Sequence, residues 1–445
     1  MVDPTRAALP PDDSLRETLH NEVHARPPAR IRLPALVIYV AVLNDGVSRE
    51  EECAHLRRLP GQQHLQPSDL AANFLRLRLG GHTLKWERHS EFTRYSLVQP
   101  LPEPAGLDHP EPALLEAMVL DPAWLRSIPG RTFAAIKLVM LHHDLSDPQR
   151  ALTRGQHWFG DRTVVASLMG GGHSCAVTDF RLRDSGFERM LVIAPPGTTE
   201  TRAGRISQRL LELETYRLMA LRGLPAAKTL TPVIAQAEAT LADITTRLEG
   251  KRDSDQELLD RLVALASQIE RATAEHVYRF SATQAYAALV EERIGELREQ
   301  PIPGTQTIGE FMRRRLTPAI ATVAATAQRL NSLAQRIERS SGLLRTRVDI
   351  ATEAQNQQLL EKLTRGQEMQ LRLQSTVEGL SIAAISYYVV SLLLYAGKSA
   401  KAMGLPVNPE IAAGALIPLV LWVTWRTTRR IHDKLIGLHD AAPRR

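Results

Sequence analysis

Two long runs of hydrophobic residues near the C-terminus stand out from the alternating patterns of the rest of the chain. Thr376–Tyr395 contains one acidic residue, Glu378, and no basic residue. At about 1.5 Å per residue, a helix of this length matches the roughly 30 Å hydrocarbon core of a bilayer. Ile411–Trp425 is a second apolar run, separated from the first by the link Ala396–Glu410. Because soluble helices of this length usually keep a polar face, we predict a transmembrane hairpin over residues 376–426 rather than a buried helical pair.

Residues 30–200 carry the signals of a sheet with helices, and we predict an α/β domain there. Helices are predicted to begin near Ser48 and to cover Pro67–Leu79, where Gly80-Gly81 ends the second one. Gly170–Gly172 is interpreted as a tight hairpin turn, since a phosphate-binding glycine loop needs a helix N-terminus after it. Strands are predicted from β-branched runs and from alternation of apolar and polar positions. They are Leu36–Leu43, Thr83–Arg88, Phe92–Val98, Thr132–Leu141, Thr163–Met169, Ser174–Phe180 and Arg189–Ala194.

Helical periodicity replaces the strand signals over residues 201–375, which we predict to be a long helical stalk. Breaks at Pro and Gly divide it into helices from about Gly204 to Leu221, Ala226 to Leu248 and Asp255 to Glu299. A last helix starts near Thr307 and meets no strong stop, so it is predicted to be one rod of roughly 90 residues and about 130 Å. The fold class is therefore α+β/α. Apolar residues of the last helix keep coiled-coil-like 3/4 spacing: Leu316, Ile320, Val323, Ala327, Leu330, Ala334, Ile337, Leu344, Val348 and Ala351.

Basic residues set the predicted orientation in the membrane. Several Arg and Lys residues follow Trp425, whereas the link between the two apolar runs holds only Lys398 and Lys401. The positive-inside bias puts the tail 427–445 in the cytoplasm and the link outside. Two crossings return the chain to the starting side, and segment 1–29, with its short helix, has no apolar region typical of a signal peptide. We therefore expect a multi-pass inner-membrane protein with both termini in the cytoplasm.

The formal net charge of +6 owes much to the basic tail, and it does not indicate nucleic-acid binding. No Lys/Arg cluster with interleaved aromatic residues occurs ahead of the hairpin. The lipid bilayer is therefore the expected partner, and a nucleic acid is not. Cys53 and Cys175 are far apart and match no metal or redox spacing, which suits two inert thiols in a reducing cytoplasm.

Two histidine groups are the candidates for metal chemistry. His20 and His24 are four residues apart on one helical face, but the metalloprotease motif needs Glu directly after the first His, where Asn21 stands. A partly buried structural pair is the favoured interpretation. His142–Asp144 ends a predicted strand without an identifiable fourth ligand. No P-loop, nucleophile elbow or paired-carboxylate pattern occurs, so we predict no enzyme activity, no catalytic residue, no metal and no cofactor.

One face of the first apolar run carries small and hydroxyl-bearing residues, and it is the candidate pore-lining face. Ser381, Ala384, Tyr388, Ser391 and Tyr395 follow one another at spacings of 3, 4, 3 and 4, so they share one face of a helix. Hydroxyls at membrane depth cost free energy unless they face protein or water. These residues either line a central axis or let helices pack closely, because small residues also favour close helix contacts.

The predicted rod also bears on oligomeric state. An amphipathic helix longer than its own domain must cover its apolar stripe. Either helices between residues 226 and 299 fold back on it, or copies of it bundle around an axis. The link to the membrane favours a symmetric ring, so we expect a homo-oligomer.

Several short segments resemble the signature of an uncharacterised bacterial membrane-protein family whose members are sometimes labelled egg-lysin-like. They are Asn21–Pro28, Lys85–His89, Thr178–Arg181, Glu214–Arg217 and Ala383–Tyr388. The resemblance covers most of the chain. It implies membership of a family that is defined by sequence alone, and it implies no mechanism.

The predicted architecture is similar to that of CorA-type magnesium channels, which are homopentamers whose first spans line the pore. Their Gly-Met-Asn motif at the outer end of the first span is replaced here by Tyr395-Ala396-Gly397-Lys398, and a lysine there would repel divalent cations. The resemblance implies an oligomeric ion channel or transporter of the CorA-like shape, a pentamer if the analogy extends that far, without magnesium selectivity. The alternative is a non-conducting membrane-anchored scaffold or sensor with a cytoplasmic ligand- or partner-binding domain.

Overall fold

One mixed β-sheet organises the N-terminal part of the chain. The structure is a computed structural model that describes residues 12–16, 19–20, 29–102, 104–110, 112–160, 162–250, 254–403 and 408–439. Its contacts divide the chain into two units, Met1–Ser341 and Gly342–Arg445. His24, the segment Asn21–Pro28 and the basic residues Arg444 and Arg445 lie outside the described residues.

Within the described residues the sheet has nine strands in the order β2-β3-β4-β1-β5-β8-β7-β6-β9. Neighbouring strands are antiparallel except for the parallel pair β5 and β8. The strands are β1 Ala35–Leu43, β2 Phe74–Leu79, β3 His82–Arg88, β4 Phe92–Pro100, β5 Arg131–His142, β6 Val165–Met169, β7 Ser174–Leu182, β8 Glu188–Ala194 and β9 Gln300–Pro301. The predicted strands are confirmed, and the expected α/β domain is a mixed α/β sheet domain.

Two hydrophobic clusters lie on the two faces of this sheet. Leu36 and Ile38 of β1 belong to one cluster, and Val37 and Tyr39 belong to the other. Successive side chains of a strand point to opposite faces, so a continuous β-branched run such as β1 must be covered on both sides. This explains why eight of the nine residues of β1 are buried.

The helices cover those two faces and then continue toward the C-terminus. They are α1 Arg49–Leu56, α2 Pro122–Arg126, α3 Pro148–Gln156, α4 Glu200–Leu221, α5 Gly223–Gly250, α6 Asp255–Leu297, α7 Ile308–Ala402 and α8 Pro409–His439. Residues of α1, α2 and α3 join the first cluster, and residues of α4, α6 and the start of α7 join the second. The prediction of a single last helix that begins near Thr307 and includes the first apolar run is confirmed by the 95 residues of α7.

The predicted helix over Pro67–Leu79 is wrong. Pro67–Leu70 is a short 3-10 turn, and Phe74–Leu79 is strand β2, which pairs with β3 through a tight turn at Gly80-Gly81. The Leu and Arg residues of Phe74–Leu79 alternate strictly, a period of two that indicates a strand. The glycines therefore connect two strands and do not end a helix.

The link between the two apolar runs is shorter than predicted. Helix α7 extends to Ala402 and α8 begins at Pro409, so most of the predicted link Ala396–Glu410 is helical. A Cβ built at Gly397 would lie 3.3 Å from Pro409 Cβ, which shows that the two helices approach closely where they are joined. A side chain at Gly397 would crowd this contact.

The first part of α7 is covered by other helices of the N-terminal unit. Of its predicted apolar positions, Leu316, Val323, Leu330 and Ile337 are buried. Two ion pairs connect it to its neighbours: Arg313 to Glu291 of α6 at 3.1 Å, and Arg329 to Glu238 of α5 at 2.8 Å. Of the two ways to cover the apolar stripe, folded-back helices therefore serve this part of α7.

Candidate functional site

The predicted pore-lining face of α7 is mostly exposed. Ser381, Ala384, Tyr388 and Tyr395 are exposed, and Ser391 is half-buried. In the structure these residues lie on one face of α7. Their role as pore-lining residues stays a prediction. A serine that the sequence analysis did not single out, Ser386, is buried instead, as are Ala413 and Val420 of α8.

Helix α7 and residues Pro409–Thr428 of α8 are long and apolar enough to cross a membrane. Few residues of their apolar segments are buried inside the protein, unlike the core helix of a soluble protein, whose apolar segment would be mostly buried. These two exposed apolar helices are the observation that indicates membrane association.

Where the structure describes them, the histidine and cysteine candidates do not assemble into a metal site. Among the residues that the structure describes, no group of three His, Cys, Asp or Glu side chains could hold a metal ion. Cys53 and Cys175 are buried, free thiols. Burial raises the pKa of the Cys175 thiol to about 12, so this thiol stays protonated and unreactive at neutral pH.

A buried network of charged side chains lies between the sheet and helices α4 and α6. Arg94 donates to both oxygens of Glu87, at 2.6 Å from Nε and 2.9 Å from Nη2. The Nζ of Lys85 lies 3.0 Å from Glu87 Oε1. On the helix side, Arg94 Nη1 lies 3.3 Å from Glu212 Oε1, and Arg293 Nε donates to Glu212 Oε2 at 2.8 Å. Every charge of the network has a partner of opposite sign.

The ionisation of Glu87 shows what this network does. Burial alone would raise the pKa of its carboxyl, but the adjacent Arg94 guanidinium and Lys85 lower it to about 2. The Glu87 carboxylate is therefore ionised and paired, and it does not exchange a proton at neutral pH. The network is thus suited to holding α4 and α6 against the sheet and not to acid–base catalysis.

Two carboxylates meet at Glu214 of α4, two residues after Glu212. Glu188, at the start of β8, and Glu214 are both buried, and Arg217 bonds Glu214 at 2.8 Å through Nε while its Nη2 lies 3.9 Å from Glu188 Oε1. The Arg217 guanidinium also stacks over Phe180, which in turn stacks on Phe311 of α7 at 4.8 Å. The family-like segments Thr178–Arg181 and Glu214–Arg217 therefore come together here.

Burial and the neighbouring Glu214 carboxylate raise the pKa of Glu188 to about 9. Two carboxylates in one low-dielectric site favour the neutral form of one of them, so Glu188 carries its proton at neutral pH.

A cavity of about 600 Å³ lies between the β3–β4 turn, the start of α1 and helices α4 and α6. We call it the arginine–aromatic cavity. Among the described residues that line it, two are arginines, four carry aromatic rings and none is acidic. The family-like segments Lys85–His89 and Glu214–Arg217 each contribute to it. Its lining residues are Arg49, Asn73, Arg88, His89, Ser90, Phe92, Tyr216, Tyr286 and Leu289.

The cations of the arginine–aromatic cavity are held in place by hydrogen bonds. Arg88 donates to Glu52 Oε2 and to the carbonyl oxygen of Val47, each at 2.7 Å. Arg49 donates to Asn73 Oδ1 at 2.8 Å. Asn73 has a φ of 56°, a left-handed backbone conformation that Asn tolerates better than most residues. The cavity therefore combines fixed positive charge with aromatic surface.

A second cavity of about 600 Å³ lies beside the β2–β3 turn and is mainly hydrophobic. Trp124 of the first hydrophobic cluster lines it, and the Trp124 ring stacks on that of His55 with centroids 4.2 Å apart. Its lining residues are Arg58, Leu59, Pro60, Leu79, Gly80, Gly81, His82, Leu97, Val119, Leu120, Asp121 and Trp124.

The residues that line the two cavities do not stand out as motifs in the sequence. Arg49 and Asn73 lie in predicted helices, and Tyr286 lies in a long amphipathic helix, where none of them belongs to a motif. Only two signals pointed to this region, the family-like segments Lys85–His89 and Glu214–Arg217. Neither segment indicates by itself that the two lie side by side.

Replacing the protonated carboxyl should change how stability depends on pH. Between the ordinary pKa of Glu, 4.5, and about 9, the unfolded chain loses the Glu188 proton that the folded chain keeps. The free energy of unfolding therefore falls as pH rises through this range. Glu188→Gln stays neutral at every pH, so it should flatten the profile and stabilise the protein at pH 8 by about 1 kcal/mol or more.

The measurement is the thermal unfolding midpoint of the purified protein from pH 5.5 to 9, followed by tryptophan fluorescence. Trp86, Trp124 and Trp158 are buried in the N-terminal unit and report on it. Glu275→Gln, at an exposed position of α6, is the matched control and should leave the profile unchanged. Parallel profiles for the wild-type protein and Glu188→Gln would show that Glu188 is ionised in the folded chain.

Comparison with known proteins supports the resemblance that the short segments indicated. The model of one family of proteins of unknown function, DUF3422, matches residues 11–435. A search of curated proteins found none that matches the chain. The family match does not bear on the likeness to CorA-type channels, which stays an expectation. Because the match spans nearly the full length of the 445 residues, the chain belongs to the DUF3422 family.

Proposed function

We propose that this protein is a two-span integral membrane protein whose N-terminal α/β domain is a ligand sensor. The observation that carries the proposal is the exposure of large apolar side chains on the last part of α7 and on α8. Leu380, Leu392 and Ile411, for example, are 73%, 69% and 70% exposed. Apolar surface in contact with water costs about 25 cal/mol per Å², and a bilayer removes this cost. Two adjacent helices of this kind support a membrane hairpin.

The orientation follows from the charges that flank the hairpin. Arg426, Arg429 and Arg430 follow the second apolar run, and Lys398 and Lys401 lie between the two runs. The excess of basic residues after the second run favours a cytoplasmic C-terminus. With two crossings, the N-terminal domain is then cytoplasmic too, and the protein lies in the inner membrane with both termini on the same side.

Reporter fusions test this topology. A reporter that is active only in the cytoplasm should be active when fused after Arg445 and inactive when inserted at Ser399, between the spans. A periplasmic reporter should give the reverse pattern at the same two positions, which controls for expression. Equal signals at the two positions would contradict the two-span arrangement.

The sensor assignment rests on the placement of the arginine–aromatic cavity. One of its walls is formed by Tyr286 and Leu289 of α6. Two residues after Leu289 on α6, Glu291 pairs with Arg313 of α7. A ligand that shifts α6 would therefore act on the first turns of α7, the helix that contains the first apolar run. The uniformly paired charge network and the absence of a catalytic pattern favour binding over catalysis.

We further propose that the protein is a homo-oligomer built on α7. Beyond the part that α5 and α6 cover, Leu359, Leu363, Leu373 and Val377 are each more than half exposed. They repeat at intervals of 4, 10 and 4 residues, so they follow one side of the helix. Copies of the same helix around an axis would cover this stripe in a closed assembly.

Mass measurement in detergent tests the assembly. The wild-type protein should have a mass that is a multiple of 49.4 kDa. Leu363→Glu with Leu373→Glu should shift it toward the monomer, because charges would enter the apolar contact. Gln357→Glu with Ser375→Glu places the same charges on the opposite side of the helix and is the matched control. A wild-type monomer, or equal effects of the two pairs, would contradict the proposal.

A second candidate function is an ion channel or transporter, and one observation favours it. Tyr388 and Tyr395 are 68% and 66% exposed, and Ser381 is exposed on the same face of α7. In an oligomer these hydroxyl-bearing residues would line the central axis, as the first spans do in CorA-type channels. The missing Gly-Met-Asn motif argues against magnesium as the ion.

Thiol accessibility distinguishes a water-lined axis from close helix packing. Cysteines placed at Ser381, Tyr388 and Ser391 should react with a water-soluble thiol reagent in membrane vesicles, whereas cysteines at Ile382 and Val389 should not. Ion flux into liposomes that contain the same variants then shows whether the axis conducts. Equal protection at all five positions would leave helix packing as the function of this face.

A further inference from the structure

We propose that the arginine–aromatic cavity binds a nucleoside monophosphate, with its base against the aromatic side chains and its phosphate at Arg49. This inference rests on the proposed sensor function and names the chemical class of its ligand. Neither the family match nor any sequence motif assigns this site.

The aromatic side of the cavity is a continuous row of rings. The centroid of the His89 ring lies 4.5 Å from that of Phe92 in a stacked arrangement, and Phe92 lies 6.5 Å from Tyr286. Tyr286 and Tyr216 are stacked with centroids 6.0 Å apart. Tyr286 is half-buried, so part of its ring is available to a ligand. Aromatic side chains are the usual platform for nucleobases, and they accept any base because every base has a π-face.

The cationic side of the cavity suits a phosphate. Arg49 is exposed at the start of α1 and lines the cavity, and a guanidinium has five N–H donors, more than the bond to Asn73 uses. Arginine binds phosphate through parallel N–H bonds that match the spacing of its oxygens. Arg88 adds a second positive charge, although its donors to Glu52 and Val47 hold it in place.

Two acidic residues near the cavity are paired with arginines. Glu52 is fully buried and is bonded by Arg88, and it also accepts from Thr93 Oγ1 at 2.6 Å. Glu91, which follows Ser90 in the β3–β4 turn, forms an ion pair with Arg279 of α6. Glu50 and Glu51 follow Arg49 on the exposed first turn of α1 but do not line the cavity. The charge of the lining itself is therefore positive and favours an anion over a neutral or cationic ligand.

Size and composition narrow the ligand class. A volume of about 600 Å³ is in the usual range for small-molecule sites. An inorganic anion would need the arginines but not the row of rings, and a neutral aromatic compound would need the rings but not the arginines. A phosphorylated nucleoside uses both, and its base and phosphate are joined by a sugar that spans the space between them.

Calorimetry with the full-length protein in detergent tests the ligand class. AMP and GMP should each bind saturably at one site per chain. Adenosine, which lacks the phosphate, and ribose 5-phosphate, which lacks the base, should each bind at least tenfold more weakly than AMP. Absence of saturable binding by both nucleotides would overturn the proposal, as would equal affinity for AMP and adenosine.

Variants then assign the binding to this cavity. Arg49→Ala should weaken AMP binding at least tenfold, whereas Arg150→Ala, an exposed arginine of α3 outside the cavity, should leave it unchanged. Tyr286→Ala should weaken binding, and Tyr286→Phe should retain it because the ring remains. Circular dichroism confirms that each variant is folded. Equal losses in Arg49→Ala and Arg150→Ala would indicate unspecific charge attraction and overturn the site.

The result of the nucleotide-binding experiments can be distinguished from the result of the reporter-fusion experiment. If nucleotides fail to bind while the reporter fusions show a cytoplasmic N-terminal domain, the nucleotide assignment is wrong and the membrane-anchored sensor remains. If nucleotides bind while the fusions contradict two spans, the site stands and the proposed anchor is wrong.

Discussion

The buried guanidinium of Arg94 is the constraint on which the N-terminal unit depends. It is a permanent charge with 3% of its surface exposed, and an unpaired charge at such a depth would cost several kcal/mol. The fold therefore has to bring carboxylates to it from two directions, Glu87 from the sheet and Glu212 from α4. Glu212 in turn bonds Arg293 of α6, so one cation fixes the positions of both helices on the sheet.

The same constraint places the aromatic side chains of the cavity. Tyr216 lies one turn after Glu212 on α4, and Tyr286 lies two turns before Arg293 on α6, so each is on the same helix face as its ion-paired neighbour. Fixing Glu212 and Arg293 against Arg94 thus brings the two tyrosine rings to a stacked distance of 6.0 Å. The charge network is structural, yet the geometry of the cavity follows from it.

The strands and apolar helices differ from the cavity in how far the sequence alone can predict them, and the reasons are physical. Strand β1 was predictable because a β-branched run is buried whatever covers it. Strand β2 was missed because its Leu and Arg residues are common in helices, and their alternation competes with that propensity. The cavity could not be predicted, because Arg49, Tyr216 and Tyr286 come from three helices that lie far apart in the sequence. The Arg94 network aligns α4 and α6, and the ion pair between Glu52 and Arg88 holds α1. The exposed apolar helices were visible at once, since their signal is local and needs no tertiary contact.

Two different environments, protein and lipid, can cover the exposed apolar surface of α7. The charges along the helix determine which of the two suits each segment. Between Glu353 and Arg372 the helix carries acidic and basic residues at short intervals, and their desolvation excludes this segment from a hydrocarbon core. Its apolar stripe can only be covered by protein, and described helices α5 and α6 cover the helix before Ser341. From Val377 to Tyr395 the single charge is Glu378, and lipid is an adequate cover for Ile385 or Leu392. The surface of this one helix therefore changes from a segment that hydrocarbon cannot cover to one that suits a bilayer, and the change falls within two turns of Arg372.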